Sequence, residues 1–92
     1  MKEHFEKVII ELDNEFDTHK FIEKFISICE KKYVELLCSH IKSIGVFRAA
    51  HSEIGKYLAN NASLLGIEKL DRISSECIKK YDTENQNWRK IV

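Results

Sequence analysis

Residues 18–44 decide the fold predicted for this chain, and they read THKFIEKFISICEKKYVELLCSHIKSI. Apolar side chains recur there at steps of three and four residues, which places them on one face of a helix. Neither proline nor glycine interrupts the stretch. We therefore predict one long amphipathic helix, with a break at Glu30-Lys31-Lys32 into two shorter helices as the alternative. The predicted apolar stripe consists of Phe21, Ile22, Phe25, Ile28, Cys29, Tyr33, Leu36, Leu37, His40, Ile41 and Ile44.

The second half of this predicted helix is apolar around most of its circumference. From residue 33 to 44, Val34 and Cys38 widen the apolar face and leave a narrow polar side. Such a helix lies in the centre of a bundle or contributes to a subunit interface. The other predicted helices are too short to cover this flank fully, so we predict an interface that uses Val34, Cys38 and Ile41.

Two further helices are predicted in the second half of the chain. Apolar residues recur at helical spacing over residues 47–65 and 67–81. Gly45 and Gly66 are interpreted as the ends of the elements before them, because glycine is common at helix C-termini. Asn60-Asn61 is an alternative, earlier end of the first of these helices.

The two ends of the chain are also predicted to be helical. Residues 2–12 carry apolar side chains on one face, although the β-branched run Val8-Ile9-Ile10 leaves a short strand as the alternative. The pattern Thr83-x-x-Gln86 is typical of a capping box, in which two side chains bond the first free backbone N–H groups of a helix. It predicts a short last helix that carries Trp88.

Two local signals refine this assignment. Asp17 or Thr18 is predicted to cap the long helix, because a short oxygen-bearing side chain accepts hydrogen bonds from the free N–H groups of the first turn. Gly55 lies inside the helix predicted at 47–65, where glycine costs about 1 kcal/mol relative to alanine. We therefore predict a close helix crossing at Gly55.

Composition and length agree with a small helical protein. The chain has 92 residues, of which 43% are hydrophobic and 33% charged, with three glycines and no proline. This balance is ordinary for a globular chain and unlike that of a disordered one. We predict one domain over residues 1–92, with an all-α fold: a small four- to five-helix bundle around one long amphipathic helix.

Charge and cysteine content restrict the cellular location and the classes of partner that the sequence predicts. Fifteen basic and fifteen acidic residues cancel, which removes the usual compositional reason to expect nucleic-acid binding. No apolar run approaches the length of a membrane span, and the first residues do not resemble a signal peptide. Three cysteines, an odd number, favour reduced thiols. We predict a cytoplasmic protein without a membrane partner.

Histidines and cysteines show no spacing typical of a metal or catalytic site. His40 and His51 fall on predicted apolar faces, but no His-x-x-x-His or Glu-x-x-His pattern occurs. We interpret both as residues at the edge of the core, each with one ring nitrogen hydrogen-bonded. Cys29 and Cys77 are interpreted as small hydrophobic residues, and a nucleophilic pair of Cys77 with His51 is the weaker alternative. We predict no catalytic residue, cofactor or metal.

The leading functional hypothesis is a non-enzymatic protein–protein interaction or regulatory module that forms a homodimer. Trp88 joins Val34, Cys38 and Ile41 as a predicted interface residue, because tryptophan often anchors interfaces. The alternative interpretation places Trp88 in the core.

The second hypothesis is a helix-turn-helix-like DNA-binding regulator that uses the helices predicted at 47–65 and 67–81. The outer face of the second helix also carries carboxylates, at Glu68, Asp71 and Glu76. Carboxylates repel phosphates where basic residues would release counterions, so this hypothesis ranks second. Its candidate nucleic-acid contacts are Arg72, Lys79, Lys80, Arg89 and Lys90.

Overall fold

The computed structural model describes the backbone of residues 1–76 and 82–91, and the side chains of residues 1–71 and 85–91. In chain order the elements are α1 (Lys2–Ile10), β1 (Glu15–Asp17), α2 (Thr18–Ile28), α3 (Glu30–Ser39), α4 (Val46–Asn60), α5 (Ala62–Leu65), β2 (Ile67–Glu76) and β3 (Asp82–Lys90).

The fold is mixed α/β, so the prediction of an all-α bundle is wrong. Five helices accompany a three-stranded antiparallel sheet in the described part of the chain. The helix predicted at 67–81 is a strand over Ile67–Glu76, and the predicted last helix lies in the strand Asp82–Lys90. Residues 77–81 of the predicted helix lie outside the described residues.

A bulge in β2 explains why its apolar spacing resembles that of a helix. Lys69 pairs with Trp88 and Arg72 pairs with Gln86, so two residues of β2 face one residue of β3 between these pairs. An extra residue of this kind changes the two-residue period of a strand locally to three. Ile67 and Leu70 therefore stand at a helical spacing although they lie in a strand. The Gln86 side-chain amide donates to the Leu70 carbonyl and supports the bulged backbone.

The sheet joins distant parts of the chain, in the order β1-β3-β2. β3 is the central strand and pairs antiparallel with both neighbours. Phe16 of β1 stands opposite Trp88, and Ile67 of β2 stands opposite Lys90. These pairings depend on residues far apart in sequence, which local apolar patterns do not reveal.

The first turn of α2 lies against β3 and is capped from two sides. The Asp17 carboxylate accepts a hydrogen bond from the Lys20 backbone N–H at 2.8 Å, as the prediction of a cap at Asp17 or Thr18 required. The Asn85 side chain of β3 accepts one from the His19 backbone N–H at 3.0 Å. Asp17 and Asn85 are both buried, and these bonds satisfy polar atoms that would otherwise be costly to bury.

Residues 18–44 do not form one helix. Cys29 has φ −116° and ψ 49°, which is not helical, and it separates α2 from α3. The alternative with two shorter helices is therefore the observed one. α3 ends at Ser39, and Gly45 precedes α4 instead of ending a helix.

The remaining helices follow the sequence patterns more closely. The helix predicted near the N-terminus is confirmed as α1, so the strand alternative at Val8-Ile9-Ile10 is wrong. Asn61 separates α4 from α5, and Gly66 ends α5 with φ +70°, in the left-handed region that favours glycine.

Helices and sheet share one cluster of buried apolar side chains. The Phe5 ring is central to the helical side, with centroid distances of 4.9 Å to Phe21, 5.5 Å to Phe25 and 4.5 Å to Tyr57. On the side of the sheet, Phe16, Ile67 and Trp88 are all buried. Among the helices of the described residues, none combines the length and the apolar character needed to cross a bilayer.

Candidate interaction surface

The predicted interface residues of α3 and the segment after it are exposed. Val34 is 51% exposed and Ile41 is 68% exposed, and Cys38 is also exposed. Val34 and Cys38 stand one helical turn apart, away from the buried Tyr33 and Leu36 that attach α3 to the core. The apolar flank is thus left uncovered within the described part of the chain.

Two further apolar residues extend this exposed region. Ile44 is fully exposed in the segment between α3 and α4, and Phe47 is 47% exposed in the first turn of α4. Ile44 was predicted on the stripe of a helix that continued to residue 44, and Phe47 on the stripe of the helix predicted at 47–65. Hereafter the α3 surface means Val34, Cys38, Ile41, Ile44 and Phe47.

Two side-chain hydrogen bonds connect α3 and the residue that follows it to α4, beside this surface. His51 Nε2 lies 2.7 Å from the Tyr33 hydroxyl oxygen, and His40 Nε2 lies 2.6 Å from Glu53 Oε1. At least one ring nitrogen of each histidine is therefore hydrogen-bonded. Burial raises the pKa of the Tyr33 hydroxyl, so this group stays protonated near neutral pH. The His40–Glu53 pair is partly exposed, and such pairs contribute at most about 1 kcal/mol.

The cysteines differ in their surroundings. Burial raises the pKa of the Cys29 thiol, and the charge of Lys7 lowers it by a smaller amount. Cys29 is thus a buried, protonated thiol, which makes a poor nucleophile. Cys38 is exposed. Cys77, and with it the alternative pairing with His51, lies outside the described residues.

The described residues contain no group of three or more His, Cys, Asp or Glu side chains arranged to hold a metal ion.

Of the predicted nucleic-acid contacts, the structure describes the side chains of Arg89 and Lys90, and each of them is hydrogen-bonded within the chain. The Arg89 guanidinium is hydrogen-bonded to the Glu68 carboxylate across the sheet, with Nε 2.6 Å from Oε1. Lys90 Nζ donates to the Leu12 carbonyl at 2.6 Å. Lys79 and Lys80 lie outside the described residues, as does the side chain of Arg72. Since residues 67–76 form a strand, the recognition helix on which the DNA-binding hypothesis depended is not formed there.

Trp88, the remaining predicted interface residue, lies in the core. It is 1% exposed, and its Nε1 donates to Thr18 Oγ1 at 3.0 Å. Thr18 Oγ1 in turn donates to the Gln86 carbonyl at 3.2 Å. The alternative interpretation of Trp88, as a core residue, matches this arrangement.

Comparison with known proteins identifies no relative. Neither protein-family models, curated proteins nor solved structures give a significant match to this chain.

Proposed function

We propose that this protein is a non-enzymatic interaction module that forms a homodimer through the α3 surface. The observation that carries the proposal is the exposure of its apolar side chains, from 47% for Phe47 to full exposure for Ile44. Single exposed apolar residues are common, whereas several on neighbouring segments are typical of interaction sites. A cytoplasmic location belongs to the same proposal, because an odd number of cysteines favours reduced thiols.

A second copy of this chain is the partner that the charges favour. The charged residues of α3 are Glu30, Lys31, Lys32 and Glu35, two of each sign. The whole chain also has a formal net charge of zero. Two copies therefore do not repel one another, and a two-fold axis would place the same apolar side chains against each other.

The expected dimer is weak and depends on concentration. Complete burial of one large aliphatic side chain contributes about 1.5–3 kcal/mol, and less where the side chain is already half covered, as Val34 and Phe47 are. Association costs at least about 4 kcal/mol in lost translational and rotational freedom. Several side chains of the α3 surface must therefore act together, and one charge placed among them is enough to prevent assembly.

Light scattering on a sizing column, over a series of protein concentrations, tests the proposal. We expect the average mass of the wild type to rise towards twice the monomer mass, and Val34→Glu to remain a folded monomer. Leu64→Glu is the matched control, because Leu64 is 65% exposed on α5, outside the α3 surface. Circular dichroism verifies that both variants are folded.

A wild type that stays monomeric at every concentration would refute the proposal. Equal loss of assembly in Val34→Glu and Leu64→Glu would also refute it, because the effect would then not be specific to the α3 surface.

A further inference from the structure

A polar cleft of about 370 Å³ opens where α2, α4 and the sheet meet. Thr18 comes from the first turn of α2, and β3 contributes Gln86 and Trp88. The cationic residues that line the cleft are Lys56 of α4 and Lys69 of β2. The volume lies in the range of small-molecule sites, about 300–1,000 Å³. We call this feature the polar cleft.

The charged side chains of the polar cleft that the structure describes have one sign. Lys56 and Lys69 line it, and none of the described lining residues carries a carboxylate. Neither ammonium group has an ion-pair partner among the described residues, whereas Lys32 approaches Glu35 on α3. Two uncompensated cations at one concave site raise the local concentration of anions.

A second groove shows what distinguishes the polar cleft. It lies between α1 and α2, has the same volume of about 370 Å³, and is also lined by two lysines, Lys7 and Lys24. Its lining includes the Glu11 carboxylate and the apolar Ile10 and Ile28. The carboxylate offsets part of the positive charge, so an anion is favoured in the polar cleft and not in this groove.

Gly55 provides a second, independent observation. It lies inside α4, where glycine is less favourable than alanine. The glycine at this position predicted a close helix crossing, but a Cβ on Gly55 would meet only Thr18 Cγ2, at 3.9 Å, an ordinary contact. Packing therefore does not require glycine, and that prediction is wrong. Gly55 lines the polar cleft, and its missing side chain leaves room there.

We infer that the polar cleft binds a small organic anion, a phosphate monoester of a hydroxylated compound. Lys56 and Lys69 hold the phosphate oxygens, as lysine does as a point charge in many phosphate sites. The exposed hydroxyl of Ser52, which also lines the cleft, hydrogen-bonds the hydroxylated part. The space beside Gly55 accommodates the carbon skeleton.

Titration with ribose 5-phosphate, followed by amide chemical shifts in NMR, tests this inference. Ribose is the uncharged control. We expect saturable shifts at residues of the polar cleft with ribose 5-phosphate and none with ribose. A site with a dissociation constant of about 1 mM would be about 90% occupied at about 10 mM ligand.

Matched variants distinguish binding in the polar cleft from non-specific attraction of the anion to positive charge. Lys56→Gln/Lys69→Gln is expected to weaken binding at least tenfold, whereas Lys7→Gln/Lys24→Gln removes the same charge from the other groove and should change it less than twofold. Gly55→Met fills the cleft without altering charge and should also abolish binding. Both the folded state and the helix content of each variant are verified by circular dichroism.

Three results would overturn the inference. They are the absence of saturable shifts with ribose 5-phosphate at about 10 mM, equal weakening by the two double-lysine variants, and unchanged binding in Gly55→Met. Inorganic phosphate that binds as tightly as ribose 5-phosphate would overturn the part of the inference that concerns the organic group.

Discussion

Replacement of Thr18 by valine is expected to lower the free energy of unfolding by about 2 kcal/mol. The Thr18 hydroxyl accepts a hydrogen bond from Trp88 Nε1 at 3.0 Å and donates one to the Gln86 carbonyl at 3.2 Å. Valine keeps the branched shape and removes the hydroxyl. Trp88 is 1% exposed, so its N–H would be left without a partner in the core.

The magnitude follows from the burial of that donor. A buried N–H group without a partner costs about 1–3 kcal/mol, and we take the middle of this range. The exchange of threonine for valine changes helix propensity little, so this term does not obscure the effect. In a domain of this size about 2 kcal/mol corresponds to a fall in Tm of roughly 8–16 °C. Thr18→Ser retains the hydroxyl and is expected to cost less than about 1 kcal/mol.

Urea denaturation of the wild type, Thr18→Val and Thr18→Ser measures these values. Trp88 is the only tryptophan, so its fluorescence reports on the sheet, while circular dichroism at 222 nm reports on the helices. Coincident transitions would show that both parts unfold together. A loss of less than about 0.5 kcal/mol in Thr18→Val, within the range of ordinary surface substitutions, would refute the reasoning, as would an equal loss in Thr18→Ser.

Two glycines and two cysteines support further predictions. Gly55→Ala should raise the free energy of unfolding by about 0.5–1 kcal/mol, because the new Cβ makes an ordinary contact within a helix. Gly66→Ala should lower it by about 1 kcal/mol, because the φ of +70° is unfavourable for a residue with a side chain; urea denaturation measures both. Iodoacetamide should alkylate the exposed Cys38 well before the buried Cys29, as peptide mass mapping would show, and equal rates would contradict the assigned burial. Burial raises the pKa of the Cys29 thiol in the folded state, so the folded protein holds this proton more tightly than the unfolded chain does. The resulting contribution to the free energy of unfolding is present below the pKa of an ordinary thiol and is lost as pH rises through the higher pKa of the folded state. Cys29→Ala should therefore reduce the fall in the free energy of unfolding at alkaline pH.

The helical half of the fold was accessible to sequence analysis because its signals are local. The apolar spacing of α1 and the cap at Asp17 depend on residues within one or two turns of each other. The break at Cys29 was harder to locate, because Cys29 is itself apolar and continues the stripe. Only the charged run that begins at Glu30 indicated it.

The sheet was not accessible in the same way. The bulge between Lys69 and Arg72 hides the strand period of β2, and the apparent capping box at Thr83 lies within β3. Asn85 and Asn87 are poor helix formers, and this is the one local signal that favoured a strand or loop there. The pairing of Phe16 with Trp88 depends on tertiary structure that no local window contains.

The candidate surface was predictable in part. Val34 and Cys38 were identified because they widen the apolar face beyond the stripe, and Ile41 because it lies in the stripe beside them; all three are exposed. Ile44 was missed because α3 ends at Ser39 and not at residue 44, and Phe47 because it continues the apolar spacing of α4 although its side chain is 47% exposed. Lys56 and Lys69 come together at the polar cleft only through the tertiary fold.

The position of β3 in the chain has a consequence for synthesis on the ribosome. β1 precedes α2, yet the strand beside it in the sheet is β3, and the Trp88–Thr18 contact spans 70 positions of sequence. A nascent chain emerges from its N-terminus, so the helices are available long before the central strand that completes their core. Such distant contacts also slow folding. A ribosome that stalls before residue 82 therefore holds a helical fragment in which Phe16 lacks its partner Trp88. The apolar surface exposed in such a fragment favours aggregation or binding by chaperones.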